Sequence, residues 1–281
     1  MKNMLLPTCS VLVTTYNRPE SLVLCVESLF QQSHLPTEII VCDDGSGEAT
    51  QQLIQQLQKR SPVPLLHVWQ ADLGFRLARV RNLGLKTATS EYIVQLDGDV
   101  ILHRHYLVDH LRHAKKGFFF SGNQYHIPHD VTQLMLTNSS ASVHTSLKLA
   151  KWNWRRLRCL PLQKPMLYFY HWKTHYEYVL GSNMSFWRQD LFRVNGYDEQ
   201  FSGWGWEDID LALRLMQLGC TLRFLRFGAI QYHLDHPKSS RAQEDTNRMR
   251  ALQIIQEKRF ACEQGLSQHT DYSDAQNFLT H

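Results

Sequence analysis

The chain has 281 residues, of which 43% are hydrophobic and 20% charged. That composition excludes a disordered or fibrous chain, and the length suits one large domain or one domain with an appendage. No run of eighteen apolar residues occurs, which excludes a membrane-spanning helix. The net charge of +4 is unevenly spread: seven Lys/Arg and no Asp or Glu lie between Val131 and Tyr176, so the rest is mildly acidic. Residues Met1 to Cys9 carry no secretory leader pattern, and the six cysteines form no C-x-x-C pair. A cytoplasmic protein with reduced thiols is the expectation.

In chain order, Ser10–Thr15 reads as a β-branched strand, and Pro19 opens a helix with Leu22, Cys25, Val26, Leu29 and Phe30 on one face. A strand at Glu38–Cys42, a turn at Asp43–Gly47 and a helix bearing Leu53, Ile54 and Leu57 repeat that unit. Strand Leu65–Trp69, helix Leu77–Leu85 and strand Tyr92–Leu96 repeat it again. Such alternation predicts an α/β fold with a mainly parallel sheet covered on both faces and ligands beyond the carboxyl ends of its strands. Further on, strands are predicted at Phe118–Phe120, Val179–Trp187 and Leu222–Ile230, a helix through Ile209–Met216, and a tail helix over Asn247–Glu263. Residues 125–178 resist assignment and read as an inserted basic and aromatic segment.

Three clusters carry chemistry. Asp97 and Asp99 follow a buried strand; in extended backbone both carboxylates would point to one side and suit a hard divalent cation, the plainer alternative being surface-turn aspartates. Asp43 and Asp44 follow another strand, where an aspartate either bonds its own turn or accepts from the imide N–H of a uracil ring. Gly203–Asp208 (G-W-G-W-E-D) precedes a helix: its acids suit the helix dipole, while two tryptophans beside carboxylates can hold a sugar ring.

The pieces V-T-T-Y-N-R (Val13–Arg18), D-D-G-S (Asp43–Ser46), G-F-R-L-A-R-V-R-N-L-G (Gly74–Gly84), L-D-G-D (Leu96–Asp99), G-S-N-M-S-F (Gly181–Phe186) and G-W-G-W-E-D-I-D-L (Gly203–Leu211) run through most of the chain. Together they resemble an inverting nucleotide-sugar glycosyltransferase of family 2 with the GT-A fold. They are similar to bacterial chondroitin-polymerase-type domains and to the carboxyl-terminal part of β-1,4-galactosyltransferases. The resemblance implies a GT-A, Rossmann-like, mostly parallel central sheet flanked by helices. It divides the single domain into a nucleotide-binding half (8–124), the insertion (125–178), an acceptor-binding half (179–236) and a helical tail (237–281).

The same resemblance implies site residues. Thr14, Tyr16, Asn17, Arg18, Asp44, Arg76, Asp97 and Gly98 would surround the nucleotide, with Asp97 facing the ribose and the metal. Asp99 and His233 would bind Mn²⁺ or Mg²⁺, with His236 as the alternative to His233. Trp204, Trp206 and Glu207 would hold the acceptor sugar, and Asp208 would be the general base. A UDP-sugar donor and a saccharide or lipid-linked saccharide acceptor are implied, in bacterial surface polysaccharide or lipopolysaccharide assembly at the inner face of the cytoplasmic membrane. The competing class is a non-catalytic nucleotide-sugar-binding or scaffold protein.

The basic stretch Lys148–Arg158 reads as a solvated helix or as a peripheral anchor on anionic lipid, with Trp152 and Trp154 at headgroup level. Nucleic acid is not an expected partner, because neither a recognised binding fold nor a broad basic face accompanies the patch. The paired histidines at 103/105, 110/113 and 171/175 lack zinc-site spacing and read as surface or packing residues.

Overall fold

The structure, a computed structural model, describes residues 5–137, 157–169, 176–237 and 240–269. Most of Lys148–Arg158, including Trp152 and Trp154, lies outside the described residues. The described strands are β1 (Cys9–Thr15), β2 (Glu38–Asp43), β3 (Leu65–Trp69), β4 (Tyr92–Asp97), β5 (Val100–Leu102), β6 (Phe118–Ser121), β7 (Asn123–His126), β8 (Asn183–Trp187), β9 (Thr221–Phe224) and β10 (Ile230–His233). The helices are α1 (Pro19–Phe30), α2 (Glu48–Arg60), α3 (Leu77–Thr87), α4 (Tyr106–His113), α5 (His129–Thr137), α6 (Leu160–Phe169), α7 (Arg188–Arg193), α8 (Glu207–Gln217) and α9 (Glu244–Glu257).

The main sheet runs β3-β2-β1-β4-β8-β6-β9. Only β8 is antiparallel to its neighbours. Period-2 alternation explains why helices cover both faces: Val11, Val13, Ile39, Val41, Val94 and Leu96 join one apolar cluster, whereas Leu12, Ile40, Cys42 and Ile93 join the other. Helix α3 lies so close to the second face that a Cβ on Gly84 would come within 2.3 Å of Cys42 Sγ. The chain order reverses between β1 and β4, so the crevice outside their carboxyl ends is the topological switch point, where such sheets bind ligands. Thr14 and Asp97 are in register there.

A second sheet, β5-β10-β7, packs its apolar side with α5 residues Val131 and Met135. Its strands of three or four residues are too short to show periodicity, so β5 and β7 escape the sequence reading. The predicted strand Leu222–Ile230 is two strands: Phe227 and Ala229 take left-handed φ of 59° and 47°, and the chain passes from the first sheet to the second. The predicted strand Val179–Trp187 starts only at Asn183, after a turn at Gly181–Ser182. The tail helix begins at Glu244 and stops at Lys258, which caps it with a φ of 52°, well before Gly265.

A buried polar network fixes β8. Asn183 Nδ2 donates to Asn123 O (3.0 Å) and Ala229 O (2.9 Å), so its Oδ1 is an acceptor for Tyr106 Oη (2.9 Å) and His110 Nε2 (3.0 Å). His110 therefore carries its proton on Nε2, and Nδ1 accepts from Ser185 Oγ at 2.8 Å. Burial lowers the His110 pKa from 6.5 to about 4. Below pH 6.5 the unfolded chain takes up a proton that the folded chain refuses. Stability should thus fall as pH drops from 6.5 towards 4, by on the order of 3 kcal/mol from this residue. Urea unfolding across that range should show the decline, and His110→Gln should flatten it.

Candidate active site

At the switch point, Asp97 Oδ1 accepts from Thr14 Oγ1 at 2.8 Å, and the Gly98 N–H donates to Thr14 O at 2.7 Å. Gly98 and Asp99 form a turn between β4 and β5, so the backbone is not extended as expected and the two carboxylates serve different partners. Asp99 faces Arg18 (3.2 Å), His233 Nε2 (3.5 Å) and His236 Nε2 (3.0 Å). Its ligand oxygen and the two imidazoles all lie within 4.8 Å of one another, so both histidines join Asp99 and neither excludes the other. Asp97 is outside that trio. Asp99 Oδ1 and His233 Nδ1 are buried without a hydrogen-bond partner, and one carboxylate with two imidazoles suits a divalent transition ion. Burial pushes the Asp99 pKa up, but His236, His233 and Arg18 outweigh it and hold the carboxyl below its ordinary range.

The sequence-predicted nucleotide residues gather on the same edge. Asp44 is buried; its Oδ1 accepts from Gln70 Nε2 at 2.5 Å and its Oδ2 from the Arg76 backbone N–H at 2.9 Å. Burial raises its pKa despite those bonds. Asp43 is wholly structural, binding the Ser46 N–H (2.8 Å) and His67 (3.0 Å). Asn17, at a φ of 47°, ties this loop to the next: its N–H donates to Ser46 Oγ and its Oδ1 accepts from Gly47 N–H. Tyr16 is exposed and donates to Asp72 Oδ2 at 2.9 Å.

Across the crevice, Trp206 caps α8 with a φ of 75° and packs on Tyr176 and the Phe201–Leu213–Ala251 cluster. Trp204 stays exposed, with the Arg241 guanidinium 4.8 Å from its ring centre. Asp208 Oδ1 lies within hydrogen-bond distance of three donors: Arg81 Nη1 (2.9 Å), Gln95 Nε2 (3.1 Å) and Tyr197 Oη (3.0 Å). Oδ2 lies against Gly181, where a Cβ would come within 1.7 Å of it. Burial and the neighbouring Asp208 charge raise the Glu207 pKa, against the opposing pull of Arg81.

Arg81 joins the two sides. Its guanidinium is fully buried, bonds Glu207 (3.2 Å) and Asp208 (2.9 Å) through Nη1, and reaches Asp97 (3.4 Å) through Nη2. The next residue, Asn82, exchanges two 2.8 Å hydrogen bonds with the Tyr197 backbone, which holds the phenol against Asp208. The sequence reading missed Arg81, Asn82, Gln95, Tyr197 and Gln70. A signal existed for Arg81, since it lies three residues before Gly84 on the sheet-facing side of a helix, where a charge needs buried partners. Arg81→Met should strand these carboxylates and cost about 3–5 kcal/mol, measured as a lowered melting temperature.

A family model described as "Glycosyl transferase family 2" matches residues 10–175, and one described as "N-terminal domain of galactosyltransferase" matches residues 165–237. Chondroitin synthase of Escherichia coli is 25% identical over 280 residues, covering 92% of this chain and 39% of that protein. Hyaluronan synthase of Pasteurella multocida is 28% identical over 267 residues, covering 89% and 27%. The chain therefore spans less than half the length of these two relatives. A solved structure of the mannosyltransferase PcManGT from Pyrobaculum calidifontis, in complex with GDP-Man and Mn²⁺, superposes with a TM-score of 0.59 at 17% identity, covering 89% of this chain and 63% of that one. The fold is that of the GT-A glycosyltransferases, and the chain belongs to glycosyl transferase family 2.

Proposed function

We propose that this chain transfers a sugar from a UDP-sugar to a hydroxyl of a saccharide or lipid-linked saccharide acceptor, inverting the anomeric centre. The reading sets the reaction in bacterial surface polysaccharide or lipopolysaccharide assembly, at the inner face of the cytoplasmic membrane. One observation carries it: a single buried guanidinium contacts both Asp97 and Asp208, so the donor-side and acceptor-side carboxylates line one crevice. The relatives named for chondroitin and hyaluronan synthesis support a polysaccharide product.

On the donor side, Asp44 is oriented by Gln70 and the Arg76 N–H to accept from a uracil imide, and Arg18 and Arg76 lie beside the phosphates. Asp99, His233 and His236 would hold Mn²⁺ or Mg²⁺, the imidazoles favouring Mn²⁺. Such an ion, when bound, supplies Lewis acidity at the departing diphosphate. On the acceptor side, Trp204 offers an exposed aromatic face, and Glu207, its pKa raised by burial and by Asp208, is less readily ionised and so a weaker competitor than Asp208 for the acceptor's proton. The donors at Oδ1 hold Asp208 still and leave Oδ2 to take the hydroxyl proton as the oxygen attacks. One base suffices here, unlike a glycosidase, which needs a second carboxyl to protonate its leaving group.

Release of UDP from a panel of UDP-sugars, with Mn²⁺ and oligosaccharide acceptors, tests the reading. A panel that stays silent while UDP still binds would favour the scaffold alternative. Asp208→Asn should lower transfer by about 10²–10⁴-fold and leave UDP affinity nearly unchanged. His236→Ala should raise the Mn²⁺ concentration for half-maximal activity at least about tenfold and weaken calorimetric Mn²⁺ binding to match.

A further inference from the structure

A second surface lies at the opposite end of the main sheet from the carboxylates. Between α6 and strands β6 and β9 runs an open groove of about 340 Å³, floored by Phe118, Phe120 and Leu167 and edged by Lys115, Lys164 and Arg223. Phe120 pairs with Ser185, and Tyr92 at the amino end of β4 pairs with Trp187; Phe118 therefore stands near the start of β4, whereas Asp97 ends it. The Lys115 ammonium is 4.7 Å and the Arg223 guanidinium 5.3 Å from the Phe118 ring centre, which sets the cations against the apolar floor. Among the described residues that line the groove, none is acidic.

The helix beside it exposes apolar surface: Leu160 and Leu162 are more than two-fifths exposed and Phe169 is 72% exposed. Its sequence, L-P-L-Q-K-P-M-L-Y-F, contains no acid. An apolar patch whose described charged residues are all Lys or Arg is complementary to a surface of acyl chains beneath anionic headgroups. Arg158, counted in the expected anchor, is instead turned inward: it forms a two-pronged ion pair with buried Asp109, its Nη2 2.7 Å from Oδ1, so it is not available to lipid.

We propose that the α6–β6–β9 face docks on an anionic lipid bilayer, with Leu160 and the 76% exposed Tyr168, which share the groove side of α6 with Lys164 and Leu167, entering the headgroup boundary and Lys115, Lys164 and Arg223 meeting the lipid phosphates. The inference deepens the membrane-face part of the proposed function by naming the docking face, and its test needs no turnover, so its failure would leave sugar transfer untouched. The full chain is floated on vesicles of phosphatidylcholine with and without phosphatidylglycerol, at low salt. It should float only with the anionic vesicles, and inorganic phosphate at matched ionic strength should not displace it. Reversing the three cations (Lys115→Glu, Lys164→Glu, Arg223→Glu) should weaken partitioning by roughly a hundredfold or more. If that variant melts early, Lys164→Glu alone, an exposed change, should still weaken it by roughly tenfold. Tyr168→Ser should also weaken it, with an unchanged melting temperature. Equal flotation on neutral vesicles, flotation indifferent to these substitutions, displacement by phosphate, or no flotation at all would each overturn the proposal.

Discussion

The site depends on a guanidinium taken out of water. A buried arginine is tolerated only if its charge is met, and Arg81 meets it with Asp97, Glu207 and Asp208 at its two terminal nitrogens and with the face of Tyr197 at 5.1 Å, while its Nε has no partner. The requirement is mutual. Carboxylates gathered around one point repel, and the Arg81 guanidinium between the end of β4 and the start of α8 offsets that repulsion. A lysine would bring one point charge, whereas the planar fork of arginine serves one acid at one nitrogen and two at the other. The same crowding of negative charge pushes the Glu207 pKa up.

The D-G-D sequence divides its labour for a related reason. Because Gly98 turns the chain from β4 into β5, Asp97 is directed to Thr14 and Arg81, and Asp99 to His233 at the end of β10 and His236 just beyond it. One of these carboxylates belongs to the protein's internal charge balance and the other faces two imidazoles. The second sheet serves that arrangement, since pairing of β10 with β5 in the register His233↔Val100 sets His233 beside Asp99.

Much of this was legible beforehand. The buried strands β1, β2 and β4 and their helices follow from long apolar runs with clear periods, and the motif residues fall at strand ends where an α/β sheet binds ligands. The family assignment followed from the order of those motifs. The remainder was hidden for identifiable reasons. β5 and β7 are too short for a period to register, and the break between β9 and β10 depends on left-handed residues that are not glycine, Phe227 and Ala229. Arg81 and Tyr197 are 116 residues apart in number and meet only through tertiary packing, and nothing local marks Tyr197 as the partner of Asp208. Trp204 and Trp206 look equivalent in the sequence, yet the left-handed cap at Trp206 turns one into the core and leaves the other facing solvent.

The position of the cationic groove sets a reach. Five residues of strand, roughly 17 Å, separate the level of Phe118 from that of Asp97. A molecule resting on that groove would hold its crevice well above the lipid plane, opening into the aqueous phase. A growing glycan anchored in the same bilayer would then need several sugar units before its free end could arrive there, whereas a soluble chain would meet no such minimum.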